Sequence, residues 1–147
     1  MSVYFESFSI SGDFTFNVWL RNVVGPVILF NANIGASVAQ NPETGAQRLG
    51  FNDGVLHYND LTSDFSLWTM LTISRDGSIL RLYENGALLN TFILDSIVPI
   101  IGNLTVLDGT CYASDILMVE RAVSDDGILY RYSDMTENRG NATCPVM

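Results

Sequence analysis

Short runs of β-branched and aromatic residues recur along almost the whole chain, divided by glycine-containing turn signals, while no segment of helical length keeps a 3.6-residue apolar rhythm. That pattern confines the chain to the all-β class. Phe14-Thr15-Phe16-Asn17-Val18-Trp19-Leu20-Arg21 alternates at its start, with Phe14, Phe16 and Val18 on one face and Thr15 and Asn17 on the other. It predicts a strand with one buried face. Asp53-Gly54, Asp76-Gly77 and Asn85-Gly86 are two-residue turn signals that tolerate positive φ, and each lies between runs that can pair. They predict hairpins that join Gly50–Asn52 to Val55–Tyr58, Trp68–Arg75 to Ile79–Glu84, and the latter strand to Ala87–Leu94.

Downstream, the apolar runs around Ile97–Leu107 are broken by Pro99 and Gly102, so a long straight strand is not expected there and a strand is expected after Gly102. Cys111–Arg121 is the next long strand candidate. It ends where Ser124-Asp125-Asp126 reads as a helix start, with serine as cap and two aspartates suited to the positive end of the helix dipole. One or two helical turns through Ile128-Leu129-Tyr130 should follow. The polar remainder carries Gly140 and Pro145 without periodicity, which divides the chain into a domain over residues 1–132 and a loop or extended arm over 133–147. At 147 residues one domain is the natural size.

Two segments carry a family resemblance. The first runs from Trp68 through the hairpin to Leu82-Tyr83-Glu84-Asn85-Gly86, and the second runs from Ser114-Asp115 to Arg121-Ala122-Val123-Ser124-Asp125-Asp126. Together they resemble the concanavalin A-like lectin/glucanase superfamily, in its laminin-G-like branch. Val123 stands where that family usually has leucine, and Gly127 where it usually has glutamate. The resemblance implies a two-sheet antiparallel jelly-roll sandwich with one short C-terminal helix. It leaves function open, because this jelly roll serves lectins, hydrolases, adhesion modules and viral structural proteins alike.

Catalytic chemistry finds no footing in the sequence. Glycanases of the resembling superfamily set carboxylates on one strand as Glu-x-Asp-x-x-Glu, and no such triplet occurs here. His57 is the single histidine and sits in no motif, so no His-based triad or multi-histidine metal site is expected. The resemblance admits calcium at the sandwich rim, for which Asp53, Asp60, Asp64 and Asp108 are the loop candidates, although loop aspartates are also ordinary turn formers. Among Tyr58, Tyr83, Tyr112 and Trp68, the residues Trp68 and Tyr83 belong to the fold signature and are expected in the core. Tyr58, with His57 and Asn59, is the least committed cluster and the candidate carbohydrate-binding site.

Charge narrows the partners. The seven basic residues are all arginine against sixteen acids, a net charge of −9 that makes nucleic acid a poor partner. No basic segment leads into an apolar run at the N-terminus, and no stretch approaches the length of a membrane span. Cys111 and Cys144 could close one loop, yet two cysteines without a secretion signal are more often free thiols in a reducing compartment. With 48% hydrophobic and only 16% charged residues, some apolar surface is expected to face a partner. The sequence therefore predicts a non-enzymatic structural or assembly module, a bacteriophage virion component such as a capsid decoration or tail-associated protein. Such a module would be made in the host cytoplasm and would dock on another virion protein and on copies of itself. The alternative is a lectin-like carbohydrate-binding module, calcium-assisted where a rim ion is present.

Overall fold

The computed structural model describes residues 3–139, with side chains through Asp134. The described residues form nine strands and one helix: β1 (Val3–Ile10), β2 (Phe14–Asn31), β3 (Gly35–Gln40), β4 (Gln47–Asn52), β5 (Leu56–Asp60), β6 (Thr69–Asp76), β7 (Ile79–Glu84), β8 (Ala87–Ile93), β9 (Ile100–Val119) and α1 (Asp125–Arg139). β2 and β9 lie side by side for nearly their whole length, from Thr15 opposite Val119 to Asn31 opposite Thr105. β6 flanks the first half of β2 and β3 the second, while β1 joins the first half of β9. Two sheets result, β5-β4-β3-β2-β9-β1 and β8-β7-β6-β2-β9, which share the two long strands. This is the all-β jelly-roll architecture expected.

The shared strands pass between sheets by bending without breaking their pairing. On β2 the register slips between Arg21 and Val24 and again before Ile28, where Asn22 and Gly25 take φ of 54° and 73°. On β9 the facing bend holds Leu107 at φ 57° and Gly109 at φ 154°. A side chain on Gly109 would come within 2.9 Å of the Pro26 carbonyl, so glycine lets the two backbones cross here. Pro99 stands just before β9 and separates it from Ile97-Val98 as the sequence suggested, whereas Gly102 lies within the strand. Ile100 to Val119 is one continuous strand, long and not straight.

Phe14, Phe16, Phe30 and Phe51 meet between the sheets with ring centroids 5.1 to 6.3 Å apart. Each such side chain contributes about 1.5–3 kcal/mol by leaving water. A second, smaller cluster forms on the outer side, where α1 lays Ile128 against Trp19, Met70 and Tyr83. Tyr132 stacks on Trp19 at 5.7 Å with the rings 12° from parallel. The first half of β2 is consequently buried on both faces, not on one, and Thr15 and Asn17 form hydrogen bonds inside, although Asn17 Nδ2 has no partner among the described residues. Thr15 Oγ1 donates to the Arg121 carbonyl at 2.8 Å and accepts from the Val123 amide at 2.9 Å, and Asn17 Oδ1 accepts from Thr72 Oγ1 at 2.6 Å.

The hairpins pair as the turn signals predict, with two shifts. Asp76 pairs with Ile79, so the turn residues are Gly77-Ser78, and Asn52 pairs with Leu56 across a three-residue loop. Asn85-Gly86 is a true two-residue turn with both φ values positive, 52° and 78°. The helix starts as expected, with Ser124 Oγ accepting from the Gly127 amide at 3.1 Å and Asp125 and Asp126 in the first turn. It then continues to Arg139, past Ser133, where the sequence suggested a loop or arm; residues 140–147 lie outside the described residues. Ile128 and Tyr132, four apart, anchor a strip too narrow to register as helical periodicity.

Candidate functional site

β5 ends at Asp60, and the chain must cross from one sheet to the other before β6 begins at Thr69. The crossing loop is held by Glu84, the last residue of β7, whose carboxylate is buried at 6% exposure. It accepts from the Thr62 amide at 3.0 Å, the Thr62 hydroxyl at 3.1 Å and the Ser63 amide at 2.8 Å. Ser63 and Thr69 join their hydroxyls at 2.6 Å across the base of the loop. Leu61 and Phe65 plug into the core, and the Phe65 carbonyl accepts from the Asn22 amide at 2.7 Å. A loop bonded at so many points is preorganised.

Its neighbour is the Asn85-Gly86 turn, over which α1 passes. A Cβ on Gly86 would lie 3.0 Å from Cβ of Tyr132 and 3.2 Å from Cδ1 of Leu129, so the glycine serves both a positive φ and the seating of the helix. Asn85 accepts from the Met70 amide through Oδ1 at 2.8 Å. Between the loop, this turn and the helix opens a cleft of about 550 Å³. Leu67, 74% exposed, half-buried Trp68 and Tyr132 supply its apolar walls; Thr62, Asp64, Ser66 and Asn85 supply polar atoms. Asp64 accepts from the Ser66 amide at 3.0 Å, and bonds from Ser66 lower its pKa, so its carboxylate is ionised at neutral pH. No described basic residue lines the cleft. Aromatic faces beside fixed carboxylate, amide and hydroxyl groups suit a ligand that is itself half apolar and half hydroxylated.

The cluster expected at His57, Tyr58 and Asn59 is divided by the strand's two faces. His57 points toward β8, with its ring 5.3 Å from Phe92 and its Nε2 3.2 Å from Asp53 Oδ1. Asn59 points the same way, and its Oδ1 accepts from Asn90 at 3.1 Å. These contacts bring the β5 edge of one sheet against the β8 edge of the other. Tyr58 faces outward, 39% exposed, under the Arg48 guanidinium.

The four aspartates considered for calcium do not converge. Asp53 and Asp60 sit at opposite ends of β5, Asp64 in the crossing loop, and Asp108 in β9 opposite Ile28. Asp60 accepts from Asn41 at 2.8 Å and Thr44 at 2.9 Å, bonds that lower its pKa. Among the described residues no three His, Cys, Asp or Glu side chains are grouped to hold a metal. Tyr83 is in the core as expected, whereas Trp68 is only partly so and also lines the cleft. Cys111 is buried, which raises its pKa, and Cys144 lies outside the described residues.

Sequence reasoning missed Leu67, Asn85 and Tyr132 as neighbours and Glu84 as the organiser. Phe65 and Leu67 look alike in a polar segment, and only the fold decides that one turns in and the other out.

No family model matches the chain, and no curated protein matches it. Solved structures do. The binding domain of Paraclostridial Mosquitocidal Protein 1 superposes with a TM-score of 0.66 at 16% identity, covering 88% of this chain and 38% of that one. A binding domain of botulinum neurotoxin DC, solved in complex with SialylT, gives 0.62 at 15%, covering 85% and 36%. The native heptameric SAP-like pentraxin from Limulus polyphemus gives 0.72 at 12%, covering 87% and 73%. The chain thus spans little more than a third of the toxin domains it matches and most of the pentraxin. At these identities the likeness carries the fold, a jelly roll shared with binding proteins.

Proposed function

We propose that this chain is a non-enzymatic, lectin-like binding module that takes a saccharide in the cleft between the 61–68 loop, the Asn85-Gly86 turn and α1. The observation that carries the reading is the pairing of an apolar wall, Leu67, Trp68 and Tyr132, with polar groups held in place by the Glu84 bonds. The pyranose C–H face would lie on the aromatics while Asp64, Ser66 and Asn85 meet its hydroxyls. Two neighbours in fold are named as binding domains, and one of them is described in complex with SialylT. The test is a panel of neutral and acidic oligosaccharides read by tryptophan fluorescence. One or more should bind, and Trp68→Ala and Leu67→Asp should each weaken that ligand by about 1–2 kcal/mol. A panel without a binder, or one in which no binder responds to either change, would overturn the reading.

Assembly with a virion protein or with further copies is a second reading, and one observation favours it. Where β1 and the second half of β9 face each other, Val3, Phe5, Phe8, Ile116 and Met118 line an apolar opening beside exposed Tyr4. Native mass of the purified chain separates the two: self-association favours assembly, and a monomer that binds a glycan favours the lectin reading.

A further inference from the structure

On the sheet that does not carry the cleft, the outer face of β4 and β5 holds a second arrangement. Leu49 and Phe51 point into the core, so Arg48, Gly50 and Asn52 point out. Register sets Arg48 opposite Asp60 and Gly50 opposite Tyr58. The Arg48 guanidinium lies over the Tyr58 ring with its carbon 4.5 Å from the centroid. A guanidinium over an aromatic face can still present its edge N–H groups to a carboxylate, which two parallel bonds would meet.

Among the described residues those donors make no hydrogen bond, although the Arg48 charge is felt by Asp60. The ion pairs His57–Asp53 and Arg81–Asp76 do not involve Arg48. Asp60, the acid opposite, directs Oδ1 to Asn41 and Oδ2 to Thr44 instead. Beyond Gly50, over which the Leu56 side chain leans with its Cδ1 3.1 Å from where a Cβ would stand, Ser37 follows in the same cross-strand row. Asn31, Ser37 and Asn52 line a shallow depression of about 280 Å³ there.

We propose that Arg48 and Tyr58 form a second site, separate from the cleft, for a saccharide that bears a carboxylate. Arg48 takes the carboxylate edge-on, Tyr58 holds the guanidinium flat and offers its exposed rim to the sugar, and Ser37 and Asn52 lie within the reach of an oligosaccharide. The site is local: the rest of the chain is acidic, so recognition depends on this one cation.

Hexasaccharides of hyaluronan and of galacturonic acid, each beside its methyl ester, titrated into the full chain by calorimetry test the proposal. At least one acid should bind at millimolar concentration or below, with its ester about tenfold weaker or worse. Arg48→Gln should reduce the acid to the level of the ester, and Arg48→Lys, which keeps charge without the planar fork, should fall between. Leu67→Asp, which alters the cleft, should leave this binding unchanged, so failure of the cleft reading does not pass for failure of this one. Equal binding of acid and ester, binding of neither acid, or an Arg48→Gln chain that binds as the original does would each overturn it.

Discussion

Glu84 is the residue on which the cleft depends most. Its carboxylate replaces water for two loop amides and a hydroxyl, so removing it strands donors that the fold has half buried. Glu84→Ala should cost about 2 kcal/mol in urea unfolding and should loosen the 61–68 loop, while Glu84→Gln, which still accepts, should restore part of the loss. Arg75 plays a comparable part at the other end of β6. Fully buried, it donates to the Gly12 and Val98 carbonyls, tying the β1–β2 turn and the segment before β9 to the sheet. Neither role was legible in the sequence, where both residues read as ordinary strand charges. Tyr83 was legible as core. Burial, together with its 2.5 Å bond to Asp125, keeps its hydroxyl protonated well above the usual tyrosine range. An unfolded chain ionises that tyrosine near about pH 10 while the folded chain does not, so stability is fully present below that pH and falls as pH rises beyond it. Buried Cys111, raised in the same direction, adds to the decline from a somewhat lower pH. Tyr83→Phe should flatten the fall in urea midpoint between about pH 9 and about pH 11; an unchanged slope would rule out the Tyr83 contribution.

At the scale of elements, the central hairpins were the clearest part of the sequence because their turn chemistry is local: Asn85-Gly86 needs two positive φ values wherever it lies. The long strands were not, because their bends are set by partners far away in the chain. Gly102 and Gly109 look alike in the sequence, yet a side chain at Gly102 would meet open space and one at Gly109 would strike β2. The helix was seen at its cap and not at its length, since Ile128 and Tyr132 are too few to make a periodic stripe. Its docking nonetheless covers Trp19, Met70 and Tyr83. A chain ended after Ser124 should expose all three, lose about 4 kcal/mol or more, and shift tryptophan emission to the red. Unchanged emission and melting would show that α1 does not shield this face.

The whole molecule is closed on one side and open on the other. Asn59–Asn90 and His57–Phe92 join the sheets at β5 and β8, so two of the three residues expected to form a sugar cluster serve the seam while Tyr58 faces outward. The opposite side keeps its apolar opening between β1 and β9. The cleft belongs to neither side: it forms where the crossing loop, a hairpin turn and the helix meet, three segments distant in sequence that no local pattern connects. The all-β class was therefore legible from patterning and the two-sheet architecture from the family resemblance, and the cleft was legible from neither. The most direct measurement is an amide and indole NMR titration of the isotopically labelled chain with whichever oligosaccharide the panel selects. Shifts should concentrate at Leu67, the Trp68 indole, Asn85 and Tyr132; shifts confined to the β1 and β9 opening, or spread evenly over the surface, would contradict binding in the cleft.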